Sequence, residues 1–334
     1  MSQSTFNLIS DDLLAQAIRL WGGERENLTF VREFANIVYR YEREGQKAIL
    51  RLTHSSHRSA VQVQAELEWI NFLVAQGLTV CAPLPRLDGE WLVELPVADG
   101  SLTAVLWEHA PGGPPQAADF GPELYRQMGQ LLGQMHRLSR DYEPVDPLVK
   151  RPDWAEDESS TRLSGGFTAE DEAIREGLER IWALLAGWDR GRDVYHLIHG
   201  DVHAGNMFLH EGQIHLFDFD DCCYHWRIYD LANALYYVLW RVPRTAVAQR
   251  TALAQEFMPP FLAGYRQEQT LSADWLAQIP LLLEYRDLVV YAYVRGMVQA
   301  IPEHEGLRQL LQLIRGRVEA NEPYVYWELP VSSF

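Results

Sequence analysis

The residues best suited to chemistry lie in two short segments in the middle of the chain. The first reads His199-Gly-Asp-Val-His-Ala-Gly-Asn206, and the second reads Leu216-Phe-Asp-Phe-Asp-Asp221. Asp201 stands five residues before Asn206, and Asp218 follows after a short segment. Phosphoryl transfer from a metal–nucleotide complex needs a base, together with amide and carboxylate oxygens for a hard divalent cation. We therefore predict that Asp201 is a catalytic base and that Asn206 and Asp218 bind Mg²⁺.

The segment between these residues has the pattern of a β-hairpin. Residues 209–217 are flanked by apolar side chains and carry Glu211-Gly212 at their centre. Glycine is favoured in tight hairpin turns because it adopts positive φ without a steric penalty. A hairpin here would return Asp218 towards Asn206, which gives the spacing a structural reason.

The same region offers an alternative, because it is rich in histidine. Six residues have the chemistry of transition-metal ligands: His196, His199, Asp201, His203, His210 and His215. His199, Asp201 and His203 alternate along the chain and could bind the metal of a hydrolase. This hypothesis leaves Asn206 and the acidic run at 218–221 without a role, so we favour the first.

The order H-x-D-x-x-x-x-N followed by D-F resembles the catalytic and metal-binding loops of protein kinases. The sequence pattern HGDxHxGN…DFDD, at 199–206 and 218–221, resembles the motifs of the aminoglycoside phosphotransferase and choline kinase superfamily. The resemblance implies ATP or GTP as phosphoryl donor, Mg²⁺, and a hydroxyl group as acceptor. It gives His199 a loop-orienting role and leaves His203 as a loop-orienting or substrate-contacting residue.

The resemblance extends to acidic residues beyond Asp218 and to the N-terminal part of the chain. Three roles stay open for Asp220 and Asp221: they tune the metal site, contact an amine-bearing substrate, or form a solvated or capping pair. Asp230 is expected to cap a helix and to pin the backbone of the catalytic loop. Arg51 occupies the place of the strand lysine that binds nucleotide phosphates. Glu66, with Glu68 as its competitor, is its expected ion-pair partner.

Two further features concern the nucleotide. The segment 106–112 (LWEHAPG) resembles the hinge that meets adenine, so Trp107, Glu108 and His109 are candidate nucleotide-binding residues. A G-x-G-x-x-G loop is absent from the sequence; residues 31–39 stand in its place. The absence leaves open how closely backbone amides approach the phosphates.

The predicted elements indicate an α+β, two-lobed, protein-kinase-like fold. Strand-like runs and one helix fill residues 1–108, and amphipathic helical patterns dominate residues 109–334. The Pro/Gly loop at 110–115 separates a small antiparallel-sheet N-lobe from a larger, mainly helical C-lobe. Short strands are predicted at 85–87 and 91–95, and a helix broken at Pro280 over 272–299.

Composition limits the partners and the compartment. The net charge of −17 disfavours nucleic acid and anionic membranes, since both repel an acidic protein. The chain has three cysteines, no predicted membrane span and no basic-apolar leader, so we expect a cytoplasmic protein. The sequence does not predict the oligomeric state.

The acceptor is expected to be a small molecule that bears a hydroxyl group and an amine. Six acids are candidates for a pocket that binds a cationic alcohol: Asp157, Glu158, Asp220, Asp221, Glu284 and Asp287. A bacterial Ser/Thr protein kinase of the same superfamily is the main alternative. It would expose a platform for peptides and phosphorylate protein hydroxyls.

Overall fold

The computed structural model of the protein describes residues 9–156, 167–300 and 303–327. The chain divides into two compact units that do not follow chain order. Within the described residues, the sheet unit is drawn from Met1–Gly113, Tyr142–Arg151 and Phe208–Asp220. The helical unit is drawn from Pro114–Asp141, Pro152–Met207 and Asp221–Phe334.

The sheet unit is built on one five-stranded antiparallel sheet with the strand order β1-β2-β3-β5-β4. Its elements are α1 (Asp11–Arg19), β1 (Leu28–Glu33), β2 (Ile37–Arg43), β3 (Gln46–His54), α2 (Ala60–Ala75), β4 (Leu92–Val97) and β5 (Gly100–Glu108). Central β3 pairs with β2 and β5, so Arg51 lies opposite Val38 on one side and Val105 on the other.

Apolar side chains from all five strands and from α1 form the core of this unit. Leu50 and Leu52 of β3 pack in one buried cluster with Leu106 of β5 and Ile18 of α1. Helix α2 begins at a capping box, in which the Ser59 side chain accepts from the Gln62 amide and the Gln62 side chain accepts from the Ser59 amide. Such a box satisfies two backbone donors that helix geometry leaves unpaired. The start of α2, and with it the position of Glu66, is therefore fixed locally.

The predicted hairpin is present and belongs to the sheet unit from Phe208 onward. It consists of β7 (Met207–His210) and β8 (Gln213–Leu216), with positive φ at Glu211 and Gly212. The carbonyl of Leu216 accepts a hydrogen bond from the Cys81 amide. This contact anchors the end of β8 immediately before Asp218.

The helical unit carries the remaining elements. They are α3 (Pro122–Asp141), α4 (Glu172–Ala186), β6 (Tyr195–Ile198), β9 (Cys223–Trp226), α5 (Ile228–Val238), α6 (Val247–Tyr265), α7 (Ala273–Leu276), α8 (Ile279–Ala300) and α9 (Glu305–Glu319). Helices α3 and α6 approach closely through glycines: a Cβ on Gly129 would lie 1.9 Å from the Phe261 carbonyl oxygen, and one on Gly264 equally close to that of Arg126. Strands β6 and β9 form a two-stranded antiparallel ladder, and β6 leads into the segment 199–206.

The structure confirms the α+β class, with a small antiparallel-sheet N-lobe and a larger, mainly helical C-lobe. The predicted strand at 85–87 is wrong, because its amides bond to loop partners: Arg86 to the Glu90 carbonyl and Leu87 to the Leu20 carbonyl. The predicted helix over 272–299 is two helices, α7 and α8, separated at residues 277–278. Among the described helices, none combines the length and apolar character that a membrane span needs.

Candidate active site

In the sheet unit, Arg51 and Glu66 form a closed ion pair. The two terminal nitrogens of Arg51 donate to the two carboxylate oxygens of Glu66 over 2.8 and 2.7 Å. Both side chains are buried, and the guanidinium lies 4.8 Å from the ring centroid of Trp107. Burial alone would lower the pKa of Arg51, but the Glu66 carboxylate raises it above its usual value. Arg51 is thus a permanent cation held in one orientation, as the sequence predicted for this pair.

Glu68, the competitor, hydrogen-bonds instead to Gln64 on the same helix. The three hinge candidates have separate surroundings. Trp107 faces Arg51; the Glu108 side chain accepts from the Ala82 amide, and its own amide donates to the Ala82 carbonyl. His109 lies 2.8 Å from the Ala110 carbonyl through Nδ1. The amide of Glu108 is therefore already used within the protein.

The segment that follows β8 places Asp218 in an unusual backbone conformation. Asp218 has φ of 66°, a left-handed conformation that costs a non-glycine residue about 1–2 kcal/mol. Its carboxylate is 2.9 Å from Arg32 of β1, a partner that the sequence did not reveal. Phe219 packs edge-to-face on Trp69 of α2, with ring centroids 5.5 Å apart.

Asp220 is buried among basic side chains of the same unit. His57 Nε2 lies 2.6 Å from its Oδ2 atom, and Arg58 and Arg151 donate to its backbone carbonyl. Burial alone would raise the pKa of Asp220, but His57, with Arg51 and Arg58, holds it well below its usual range. Asp220 is thus bound by basic residues of the protein. Residues His57, Arg58 and Arg151 were not identified from the sequence, because they lie far from Asp220 along the chain.

In the helical unit, Asp230 organises the loop that contains Asp201. Its carboxylate accepts from the amides of His199 and Gly200 at 3.0 and 2.8 Å, and from the side chain of His136 at 3.1 Å. The predicted pinning of the loop is therefore present. The predicted helix cap is not, because α5 begins two residues earlier, at Ile228.

Gly200 allows the loop to turn sharply. Its φ is +82°, and a Cβ at this position would lie 2.4 Å from the Asp221 carbonyl oxygen. The Gly200 carbonyl also accepts a hydrogen bond from the side chain of Asn233. Only glycine fits this conformation and this close approach. The Asp221 backbone is thus part of the loop's packing.

The carboxylate of Asp201 contacts side chains from several elements. Arg286 of α8 donates to Oδ1 over 2.5 Å, whereas His203 and the amide nitrogen of Asn206 lie 3.1 and 3.2 Å from Oδ2. Burial alone would raise the pKa of Asp201, but His203 and Arg286 outweigh it and hold the pKa below its ordinary value. Asp201 is therefore ionised at neutral pH.

The neighbouring histidines orient the loop. His203 Nδ1 accepts from the Gly205 amide, which leaves its Nε2 atom to donate to Asp201. His199 Nδ1 accepts from the Asp201 amide at 3.2 Å. These contacts are local and fix the backbone around Asp201.

Asn206 is arranged to present an oxygen. Its amide nitrogen donates to both the backbone carbonyl and the carboxylate of Asp201, at 3.0 and 3.2 Å. These two donations fix which way the amide points, and its carbonyl oxygen has no hydrogen bond among the described residues. A free amide oxygen beside a carboxylate suits a hard divalent cation.

The histidine-based alternative finds no such arrangement. In the ranges that the structure describes, no group of three or more His, Cys, Asp or Glu side chains could hold a metal ion. His199 and His203 are used in the loop contacts given above. The His/Asp metallohydrolase therefore lacks a ligand set in this part of the chain.

Two of the acids expected to line a substrate pocket are paired with arginines in the structure. Asp287 is buried and paired with Arg244 and Arg317, and Glu284 pairs with Arg180. Asp157 and Glu158 lie outside the described residues. Arg286, which the sequence did not single out as functional, is the charged group of α8 that contacts Asp201.

Comparison with known proteins gives a consistent result. The profile of a family described as "Phosphotransferase enzyme family" matches residues 27–266. Amicoumacin kinase from Bacillus subtilis (strain 168) is 30% identical over 94% of this chain and 93% of its own length. Homoserine kinase from Rhizobium etli (strain CIAT 652) is 27% identical over 63% of this chain and 61% of its own length.

Solved structures agree with the sequence relatives. The amicoumacin kinase hAmiN in complex with AMP-PNP, Ca²⁺ and Ami has a TM-score of 0.91 and 31% identity, and 98% of each chain is covered. A microcompartment-associated aminopropanol kinase has a TM-score of 0.74 at 20% identity, over 93% of this chain and 98% of its own, which supports the fold. The resemblance inferred from the two central motifs is thus confirmed: the chain belongs to the phosphotransferase enzyme family and is a kinase.

Proposed function

We propose that this protein transfers the γ-phosphoryl group of ATP or GTP to a hydroxyl group of a small molecule. The observation that carries the proposal is the loop from His199 to Asn206, in which an ionised Asp201 lies beside an amide with a free oxygen. The similarity to amicoumacin kinase over nearly the whole chain supports a small-molecule acceptor.

Asp201 acts as the catalytic base in this proposal. The acceptor oxygen attacks the γ-phosphorus, the bond from that phosphorus to the β–γ bridging oxygen breaks, and the nucleoside diphosphate leaves. The hydroxyl proton passes to the Asp201 carboxylate. Because its pKa is low, Asp201 contributes chiefly by orienting the hydroxyl and receiving its proton late.

Asn206 and Asp218 hold the divalent cation, which we take to be Mg²⁺. The fit rests on the unbonded amide oxygen of Asn206 and on the carboxylate of Asp218, which is partly exposed. When bound, the cation supplies charge neutralisation at the nucleotide phosphates. Arg32 lies on the Asp218 carboxylate in the structure and has to share it with the cation.

Arg51 binds the phosphates of the nucleotide, and Glu66 keeps its guanidinium in place. Two of the five N–H donors of the planar guanidinium bind Glu66. The remaining donors can bind phosphate oxygens. Backbone groups of the hinge around Trp107, Glu108 and His109 contact the base. The Glu108 amide is excluded from that role by its bond to Ala82.

The acceptor hydroxyl approaches an Asp201 carboxylate that is already covered on one side by Arg286. A cation at this position disfavours an ammonium group directly beside the reacting hydroxyl. An amine on the acceptor, if present, is therefore bound away from Asp201. This refines the expectation of a cationic acceptor.

The test is a coupled assay of nucleotide turnover with Mg²⁺ and a panel of acceptors, beginning with amicoumacin and homoserine. Turnover that needs one acceptor and is lost in Asp201→Ala supports the proposal. The control is Asp274→Asn, an exposed aspartate at the start of α7 in the same unit. Phosphorylation of protein hydroxyls with no small acceptor would favour the protein kinase instead.

A further inference from the structure

Three basic residues converge on Asp220 in the sheet unit. His57 binds its carboxylate over 2.6 Å, and its backbone carbonyl accepts from Arg58 Nε at 3.3 Å and Arg151 Nη2 at 2.5 Å. Arg151 also donates to the carbonyl of Gln62 in the first turn of α2. Asp220, Arg58 and Arg151 are each less than a tenth exposed.

Stability alone is a weak reason for such a cluster. Removing several charges from water costs free energy that their mutual attraction seldom exceeds, so apolar side chains would stabilise the fold as well or better. Buried charged groups are better explained where they fix one geometry.

Asp220 lies two residues after Asp218, whose left-handed backbone conformation needs support from surrounding contacts. On the N-terminal side, the segment is anchored by the bond from the Cys81 amide to the Leu216 carbonyl. Between the two ends, Phe219 packs on Trp69. Asp220 is the C-terminal anchor of the segment, and His57 is the residue that binds its side chain.

We propose that His57 is a positioning residue, which acts through Asp220 to hold the Asp218 carboxylate in the orientation that binds the divalent cation. The inference rests on the assignment of Asp218 to the cation in the proposed function. His57 lies in the connection between β3 and α2, which carry Arg51 and Glu66. The phosphate-binding pair and the metal-binding segment are therefore linked through one short connection.

The experiment measures binding of AMP-PNP by calorimetry, with saturating Mg²⁺ and with EDTA. His57→Leu is expected to weaken binding of the Mg²⁺ complex by about 10–100-fold, the usual loss when a residue that supports a metal ligand is removed. Binding in EDTA stays unchanged. His57→Gln places an amide N–H near the position of Nε2, and we expect it to restore most of the affinity.

His54→Leu is the matched control. His54 pairs with Asp99 over 3.2 Å in the same unit, three residues from His57, but Asp99 lies in the turn between β4 and β5. His54→Leu should therefore bind AMP-PNP with the same dependence on Mg²⁺ as the wild type. If His57→Leu does not fold, His57→Asn is measured in its place. Its side chain is polar but too short to reach Asp220.

Asp218→Asn separates the two levels of the argument. If it abolishes the Mg²⁺ effect and His57→Leu does not, the positioning role of His57 is wrong and the metal assignment stands. If Mg²⁺ does not change the affinity for AMP-PNP in the wild type or in Asp218→Asn, the assignment of Asp218 to the cation is wrong. The positioning role of His57, which depends on that assignment, is then wrong as well. An equal loss with and without Mg²⁺ in His57→Leu would also overturn the positioning role.

Discussion

The two units each contain a pair of an arginine and a carboxylate, and the pairs differ in their burial and in the number of partners that bind the carboxylate. In the sheet unit, Arg51 binds both oxygens of Glu66, and the Glu66 side chain has no exposure. In the helical unit, Arg286 binds one oxygen of Asp201. The other oxygen is shared by His203 and Asn206, and the side chain is 19% exposed.

The difference shows how one kind of interaction serves two purposes. A bidentate, buried pair has a single geometry and keeps its cation available to bind phosphate. A carboxylate with several partners and some exposure can exchange one partner for a substrate hydroxyl. The closed pair therefore fits a fixed binding element, and the open one fits a reacting group.

The largest effect is expected from Asp201→Asn. The amide keeps the shape of the side chain but cannot accept the hydroxyl proton, so kcat should fall by about 10²–10⁴. Mg²⁺–AMP-PNP should bind as in the wild type, measured by calorimetry. A variant with near-normal kcat would show that the open pair is not the reacting group.

Glu66→Gln is expected to lower the free energy of unfolding by about 3–5 kcal/mol, because it leaves the buried Arg51 without a charged partner. Urea unfolding followed by circular dichroism measures this change. The double variant Arg51→Met with Glu66→Leu removes both charges and should recover most of the stability. A loss as large in the double variant would mean that packing, and not charge, dominates the closed pair.

Arg286→Gln should have an intermediate effect on turnover. Asp201 loses the donor on Oδ1 and with it part of its orientation, so we expect a decrease in kcat of about tenfold to a hundredfold. The KM for Mg²⁺–ATP should not change, and Arg286→Lys should retain more activity than Arg286→Gln. A rise in the nucleotide KM of similar size would argue that Arg286 contributes to nucleotide binding.

The smallest effect concerns pH. Burial lowers the pKa of His196 to about 3, and it also lowers the pKa of His136, which binds Asp230. Histidine in the unfolded chain titrates near 6.5, so below that pH the unfolded state binds protons that the native state does not. The free energy of unfolding should therefore decline as the pH falls, by about 1.4 kcal/mol per pH unit for His196.

His196→Phe checks this sign and size, because it removes one of the two titrating groups. Its unfolding free energy, measured at pH 7.5 and 5.5, should depend less on pH than that of the wild type. The Arg51 guanidinium keeps its charge over this range, so Glu66→Gln should leave the slope unchanged. An unaltered slope in His196→Phe would contradict the burial of a neutral imidazole.

Local patterns predicted what local sequence determines. The spacing of Asp201 and Asn206, the turn at Glu211-Gly212 and the helix that carries Glu66 were all readable, because each depends on neighbouring residues. The strand predicted at 85–87 was wrong, because its amides donate to carbonyls outside the sheet. The hydrophobic periodicity of the sequence does not indicate such partners. Pro85, which has no amide hydrogen, also weakens a strand there.

Contacts between distant residues could not be predicted in the same way. His57 and Asp220 are 163 residues apart, and Arg286 and Asp201 are 85 apart. Arginine and histidine on a strand connection or a helix are ordinary surface residues by sequence, and only the fold makes them partners of the site. The ion pairs of Asp287, one of the acids predicted to line a pocket, could not be predicted for the same reason: its partners Arg244 and Arg317 lie far from it along the chain.

The central claim is that a hydroxyl oxygen attacks the γ-phosphorus with Asp201 as base. The most direct measurement uses ATP labelled with ¹⁸O on its γ-phosphoryl group and mass spectrometry of the phosphorylated acceptor. The account predicts a product whose three non-bridging oxygens are labelled and whose ester oxygen is not, formed about a hundredfold or more faster by the wild type than by Asp201→Asn. Equal formation by both proteins, or release of labelled phosphate with no phosphorylated acceptor, would contradict it.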